Sequence, residues 1–208
     1  MKSLLDIHLD RLSGSISSTI AQDWPNIEYI DLGNGQLTGK IPTSICECRN
    51  LKVIRLYNNT LRGPLPQCIC TMRNVMNIDI SNNQIFGSIP SCIGNMPFLF
   101  EIHFSCNNLT GTIPELAANQ SNFLQTFDIS HNSLHGALPT SLNNLRSIQN
   151  FIINDNHFTS VSGVEESLTV LCNIIFIYGG SCAMNDNPWR CPVPSYVPPI
   201  CNATCGPQ

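Results

Sequence analysis

The sequence predicts an α/β solenoid, a chain wound into about seven to eight stacked coils of roughly 24 residues each, with a parallel β-sheet on the concave face. Three observations predict it. Paired apolar residues recur at one constant step along the chain: Ile30 with Leu32, Ile54 with Leu56, Ile78 with Ile80, and Ile102 with Phe104. Phe127 with Ile129 follows one place late, because 115–123 carries one extra residue, and Phe151 with Ile153 returns to the common step. An asparagine stands three places beyond the second member of most pairs, at Asn59, Asn83, Asn107, Asn132 and Asn156. Beyond these turn positions lie LTGKIP (37–42), LRGPLP (61–66), IFGSIP (85–90), LTGTIP (109–114) and LHGALP (134–139).

The coil 51–74, LKVIRLYNNTLRGPLPQCICTMRN, justifies the elements in order. Val53, Arg55 and Tyr57 alternate with Ile54 and Leu56, the pattern of a short strand with one face buried. A turn at Asn59 follows, whose inward amide carries donors and acceptors for backbone groups that water cannot reach. Gly39, Gly63, Gly87, Gly111 and Gly136 provide close approach or positive φ, and the prolines stiffen the descent to the convex side. Gly35 replaces the second coil's asparagine, so its turn is expected to be looser. No coil can bury its own apolar positions; each stacks on its neighbours to share one core.

Leucine-type positions at this period, with the asparagine, resemble a leucine-rich repeat, and the LxGxIP segment resembles the plant-type subclass. The resemblance covers roughly residues 4–178 and implies a right-handed superhelix. The subclass includes receptor-kinase ectodomains and polygalacturonase-inhibiting proteins, and similar repeats occur in surface proteins of some protists. It also includes ice-binding members.

Composition narrows the classes. Charged residues make up 12% of the chain while it carries 24 asparagines, so the surface is polar but sparsely charged. A net charge of −4 gives no basic footprint for nucleic acid. No apolar run reaches the length of a membrane span, so membrane attachment would come only through parts not in this chain. MKSLLDIHLD lacks the apolar stretch of a signal peptide. Eleven cysteines and four glycosylation sequons, at Asn58, Asn108, Asn119 and Asn202, favour an extracellular or cell-surface setting. Asn58 and Asn108 flank the inward asparagine and are expected to face solvent.

Along the chain, the solenoid is expected over 1–178, beginning with a first coil at 4–26. In that coil Leu5 and Ile7 take the strand places that Ile30 and Leu32 hold in the next, LSGSIS its glycine segment, and Asp10 the asparagine place. Trp24 is expected to be buried. No cysteine-bearing N-terminal cap is expected, since no cysteine precedes Cys46. Cys46 and Cys70, and likewise Cys68 and Cys92, lie one full period apart at equivalent points of adjacent coils, within disulfide reach. The alternative is a ladder of buried thiols; a zinc site built on the two C-x-C segments lacks ligand spacing and a nearby histidine. Cys48 falls at an inward position as a free thiol. Val164, Leu168 and Leu171 share the face of a short helix, and 174–178 reads as a last strand. Residues 179–208, rich in cysteine and proline, resemble a C-terminal cap with Cys191 joined to Cys201 and Cys182 to Cys205. Its Trp-x-Cys-Pro pattern looks closer to the protist surface proteins.

The outward strand positions supply the candidate surface. Its central column is read as Asp6, Asp31, Arg55, Asp79, His103, Asp128 and Ile152, with Glu101 alongside, a mildly acidic strip interrupted by Arg55. Tyr29, Tyr57 and His131 border it, and Tyr and Arg are favoured interface anchors. Ser105, His103 and Asp79 resemble a catalytic set by type, but His103 and Ser105 stand about 7 Å apart on one strand with parallel side chains. No catalytic residue, metal site or cofactor is expected; His131, His135 and His157 lie near one edge without a ligand set. The expected role is extracellular recognition of a protein, peptide or glycan through the concave face or its flank. The alternatives are inhibition of a cell-wall-degrading enzyme, which the resemblance allows, and ice binding. Ice binding needs a regular Asn or Thr array, which Asn34, Asn58 and Asn82 begin and Cys106 and His131 break.

Overall fold

A computed structural model describes residues 6–9, 11–116, 123–160, 181–184 and 187. Eight strands form one parallel sheet in chain order: Asp6–His8, Tyr29–Asp31, Val53–Arg55, Asn77–Asp79, Glu101–His103, Thr126–Asp128, Asn150–Ile152 and Ser181–Ala183. Equivalent residues sit side by side, Ile30 with Ile54, Ile54 with Ile78, Ile78 with Ile102. The solenoid read from the sequence is therefore the observed architecture.

One core runs the length of the sheet. Ile54, Ile78, Ile102, Phe127 and Phe151 are buried at the first strand place, and Leu56, Ile80, Phe104, Ile129 and Ile153 at the second. Phe127 and Phe151 stack with ring centroids 6.0 Å apart. Leu61, Ile85, Leu109, Leu134 and Phe158 fill the layer behind them, and Ile45, Ile69, Ile93 and Leu142 close it from the convex side. Each buried aliphatic side chain contributes on the order of 1.5–3 kcal/mol, and each is shared between coils.

The asparagines form a hydrogen-bonded ladder. Nδ2 of Asn83 donates to the carbonyls of Leu56, Ile80 and Ser81 at 2.9, 3.0 and 3.1 Å, while Oδ1 accepts from the Leu61 amide at 3.0 Å. Two of these partners belong to the preceding coil, so each amide both closes its own turn and joins two coils. Asn59 and Asn107 repeat the pattern, and Asn132 and Asn156 continue it. The residue before each ladder place, from Asn34 through Asn58, Asn82, Cys106 and His131 to Asp155, is left-handed with φ between 52° and 54°. Asparagine tolerates that conformation better than most residues.

Beyond the ladder the chain forms a second parallel sheet on the flank, made of Arg62–Gly63, Gln84–Ser88, Asn108–Gly111, Ser133–Ala137 and His157–Ser160. The apolar segment 61–66 had indicated only an irregular descent. Its glycines explain the sheet: Gly63, Gly87, Gly111 and Gly136 all have positive φ, between 83° and 94°. A Cβ on Gly136 would lie 3.0 Å from the Thr112 methyl of the coil before. Four of these strands lead into a proline, Pro66, Pro90, Pro114 and Pro139, and the convex side is built of short 3₁₀ turns, Thr43–Glu47, Gln67–Thr71, Ile93–Asn95 and Thr140–Asn144. Pro42, Pro66 and Pro139 sit extended at the entrances of three of them.

Several expectations are corrected. In the first coil Ile7, not Leu5, stands beside Ile30, and His8 stands beside Asp31, so its strand lies two places later in the chain than expected. Its turn is two residues shorter: three positions separate left-handed Arg11 from Gly14, against five from Asn34 to Gly39. Aligning the coils on their glycines therefore displaced the strand, and His8, not Asp6, heads the central column. Gly35 is tightly packed instead of loose, since a Cβ there would lie 2.7 Å from Asn59 Oδ1 and 2.8 Å from the Leu12 carbonyl. Trp24 is only half-buried against the core.

The cysteines also pair differently. Disulfides join Cys46 to Cys68 and Cys70 to Cys92, with Cα atoms 5.9 and 5.8 Å apart and a sequence separation of 22 in each. The expected pairs, Cys46 with Cys70 and Cys68 with Cys92, occupy equivalent places whose side chains point the same way. A residue late in one 3₁₀ turn instead faces one early in the next. Cys48 is a buried free thiol, as its inward position indicated.

At the C-terminal end the eighth strand place is taken by Ser181–Ala183, paired with Asn150–Ile152, and Met184 is fully buried in the core. Asn187 extends the ladder, accepting from the Phe158 amide and donating to the Ile153 carbonyl. The repeat thus continues past 178, where the sequence reading ended the solenoid. The expected helix around Val164, the strand at 174–178, Leu5, Asp10, Asn119, Asn202, and Cys191, Cys201 and Cys205 of the cap lie outside the described residues.

Candidate functional site

The alternation that buries Ile30, Ile54, Ile78, Ile102 and Phe127 turns their neighbours onto the concave face. In register across the coils this gives a central column of His8, Asp31, Arg55, Asp79, His103, Asp128, Ile152 and Ala183. Beside it runs Asp6, Tyr29, Val53, Asn77, Glu101, Thr126, Asn150 and Ser181.

The column divides electrostatically. Asp31 lies between two basic side chains, 3.3 Å from His8 Nδ1 and 3.7 Å from an Arg55 guanidinium nitrogen, and accepts from the Gly33 amide. Asp79 and Asp128 are oriented by a common local device. Oδ1 of Asp79 accepts from the Ser81 amide and hydroxyl at 3.0 and 2.6 Å; Oδ1 of Asp128 accepts from those of Ser130 at 3.1 and 2.7 Å. Among the described residues neither has an ion-pair partner: Arg55, in register with Asp79, turns to Asp31, and His103, in register with both, turns to Glu101. His103 Nε2 lies 3.7 Å from Glu101. Glu101 also accepts from the amide of Asn77, whose own Oδ1 is buried without a hydrogen-bond partner.

Tyr29 is exposed, with Lys52 Nζ 5.9 Å from its ring centroid. Tyr57 is pinned over Gly33, where a Cβ would come within 2.4 Å of the ring, and its hydroxyl accepts from Asn34. His131 stands on the turn edge, its Nδ1 3.2 Å from Asp155. The structure thus gathers Tyr29, Asp31, Arg55, Asp79, Glu101, His103 and Asp128 on one sheet face and sets Tyr57 and His131 at its border.

Cys106, His131 and Asp155 hold the same turn position on successive coils, the types of a thiol nucleophile, a base and an orienting acid. Burial, then Asp128 and Asp155, push the Cys106 thiol above its ordinary pKa, the reverse of what a nucleophilic thiolate needs. His103 and Ser105 do not converge either, since His103 is turned to Glu101. Among the described residues no group of three His, Cys, Asp or Glu is placed to hold a metal ion, and no helix is long and apolar enough to cross a membrane.

The concave-column reading missed the apolar margin. Met76, Phe98 and Phe123 are 44%, 53% and 56% exposed at the edge where the chain enters the concave strands. The signal was in the repeat: one column reads Asn26, Asn50, Asn74 and then Phe98 and Phe123.

Coils of this form, joined by an internal asparagine ladder, define a leucine-rich-repeat solenoid. The family model for the leucine-rich repeat matches residues 26–48, 50–72, 74–96 and 123–145. A plant peptide hormone receptor, RGFR1 in complex with RGF2, superposes with a TM-score of 0.80 at 27% identity over 91% of this chain. The Arabidopsis receptor kinase HAESA, in complex with the peptide hormone IDA and the co-receptor SERK1, gives 0.76 at 26% identity over 87%. The chain is a leucine-rich-repeat protein of the plant type. It spans 29% of the length of either receptor chain. A plant ice-binding protein shares the fold, with a TM-score of 0.70 at 24% identity over 89% of this chain and 56% of its own. A search of curated proteins by sequence gave no match.

Proposed function

We propose that the chain is an extracellular, non-enzymatic recognition module that binds a protein, peptide or glycan across its concave face. The observation that carries this is the row of side chains on that face which the fold itself does not require. The central column runs Asp31, Arg55, Asp79, His103, Asp128 and Ile152, beside the exposed Tyr29, while the inward positions stay apolar. The structural neighbours that bind peptide hormones support the reading, as do two disulfides of the kind an oxidising compartment maintains. Asn58, in a turn, and Asn108, at the start of a flank strand, are exposed, where a glycan would meet solvent. An ice-binding reading gains only the short Asn34–Asn58 contact of 2.8 Å, and its row ends at Cys106.

The test pairs two surface variants of the secreted chain: Tyr29→Ala with Arg55→Ser on the concave face, and Arg49→Ser with Arg73→Ser on the convex side. Partner capture from extracellular fluid should be lost only for the concave variant. Equal capture by both would place recognition elsewhere. Mass mapping after enzymatic deglycosylation should show Asn58 and Asn108 converted to aspartate; unmodified asparagines together with free thiols throughout would exclude the secretory pathway.

A further inference from the structure

Resting on that concave-face reading, we propose that coils four to six take an extended peptide bearing two basic side chains, one for Asp79 and one for Asp128, and a large apolar side chain for the Met76–Phe98–Phe123 margin. Three independent observations converge there. The two carboxylates are half-buried, aimed by Ser81 and Ser130, and left without a cation by the described residues. Arg55 stands in register with both Asp31 and Asp79, and its contact is with Asp31.

The second observation is Asn77. It lies on the same face two residues before Asp79, is 8% exposed, and has an acceptor oxygen that no described residue satisfies. A buried carbonyl of this kind calls for a donor, and a peptide backbone or a basic side chain supplies one. The carboxylates around it disfavour an acceptor-rich or anionic ligand.

The third is the apolar margin. Met76 directly precedes the strand carrying Asn77 and Asp79, and Phe98 and Phe123 stand on the next two coils at the place that Asn74 holds in Met76's coil, two residues earlier in the repeat. Large exposed apolar groups clustered beside an acidic strip mark an interaction surface. Strands in a sheet lie about 4.8 Å apart, so Asp79 and Asp128, two strands apart, are separated by roughly 10 Å. In an extended peptide of the polyproline-II type, which turns once in about three residues and rises about 3.1 Å per residue, that spacing corresponds to basic residues three positions apart on one side. Met76 lies three residues before Asp79 along the chain, roughly 10 Å for an extended segment, and Phe98 and Phe123 continue the margin five residues before His103 and Asp128.

The probes are three fluorescein-labelled nonapeptides: one with two arginines three apart and a phenylalanine between them, one with glutamate for arginine, and one with serine for phenylalanine. Fluorescence anisotropy with the full chain should show the first binding at least tenfold more tightly than either of the others. Its affinity should fall at least tenfold in Asp79→Asn with Asp128→Asn, in Met76→Ser with Phe98→Ser, and between 0.05 and 0.5 M salt. Thermal melts of both double variants check that they remain folded. Tighter binding of the glutamate peptide, or unchanged affinity in the folded Asp79→Asn, Asp128→Asn variant, overturns this inference. If the concave variant still loses its captured partner, the recognition reading survives that failure. Binding of none of the three peptides at millimolar concentration overturns the inference as well.

Discussion

At the scale of the residue, the ladder asparagine is the most constrained position in the chain. Four hydrogen bonds converge on Asn83, three to its Nδ2 and one to its Oδ1. Aspartate is nearly the same shape, yet it would turn a carboxylate oxygen toward three carbonyls. We expect Asn83→Asp to cost about 3 kcal/mol or more at neutral pH, as loss of buried hydrogen bonds and placement of an unpaired charge combine. Burial among carbonyls disfavours the charged form of such a carboxyl, so its folded pKa lies above its unfolded one. The sign follows: the deficit is smallest at acid pH, where the neutral acid can donate one bond, and grows as pH rises. Urea denaturation between pH 4 and 8 measures it, and a deficit independent of pH would contradict the ladder geometry. Cys48, one residue type that reads ambiguously, is settled by the same kind of reasoning: burial and then Glu47 push its thiol pKa up, so it packs as a small apolar residue.

At the scale of the element, the convex turns decide which cysteines meet. Cys46 ends its turn and Cys68 begins the next, which places their Cα atoms 5.9 Å apart. Each bridge closes a loop of about 23 residues, for which the chain-entropy model gives about 3 kcal/mol. Replacing Cys46 and Cys68 together by serine should therefore lower stability by about that amount, and the Cys70–Cys92 pair should survive. Non-reducing peptide mapping checks the pairing itself. Cys68 and Cys70 share one tryptic peptide, so tandem fragmentation at Ile69 must separate them, and linkage of Cys46 to Cys70 would refute the arrangement. The flank sheet belongs to this scale too. It rests on glycines whose positive φ lets one coil lie against the side chains of the coil before it.

At the scale of the molecule, the shared core makes position along the solenoid matter. Phe127 is fully buried in the interior between Ile102 and Phe151, whereas Ile7 lies in the first described strand with a neighbour on one side. Phe127→Ala should cost about 3–5 kcal/mol and shift the whole unfolding transition. Ile7→Ala should chiefly raise amide exchange in the first coil, because in a stacked array each unit is held by its neighbours. Hydrogen exchange by mass spectrometry distinguishes the two, and equal spreading of both effects over all coils would contradict the nearest-neighbour account. The same geometry makes the proposed recognition a property of several coils at once: Asp79 and Asp128, without a cationic partner among the described residues, are on different turns of the chain and are brought to one face only by stacking.

What could be read from the sequence alone was whatever repeats. The constant period, the inward apolar pairs and the asparagine ladder established the solenoid and the outward column from the second coil on, because a periodic burial pattern has one winding that satisfies it. The particulars that do not repeat needed the tertiary structure. The shortened first turn moved His8 into the column in place of Asp6, the side-chain direction in a 3₁₀ turn set the disulfide pairing, and the long seventh coil carried the eighth strand to Ser181–Ala183. Which carboxylates are paired was likewise undecidable from spacing, since Arg55 stands between Asp31 and Asp79 and only its rotamer chooses between them. Periodicity constrains the backbone path; departures from it depend on local turn length and side-chain direction, which neighbouring coils determine together.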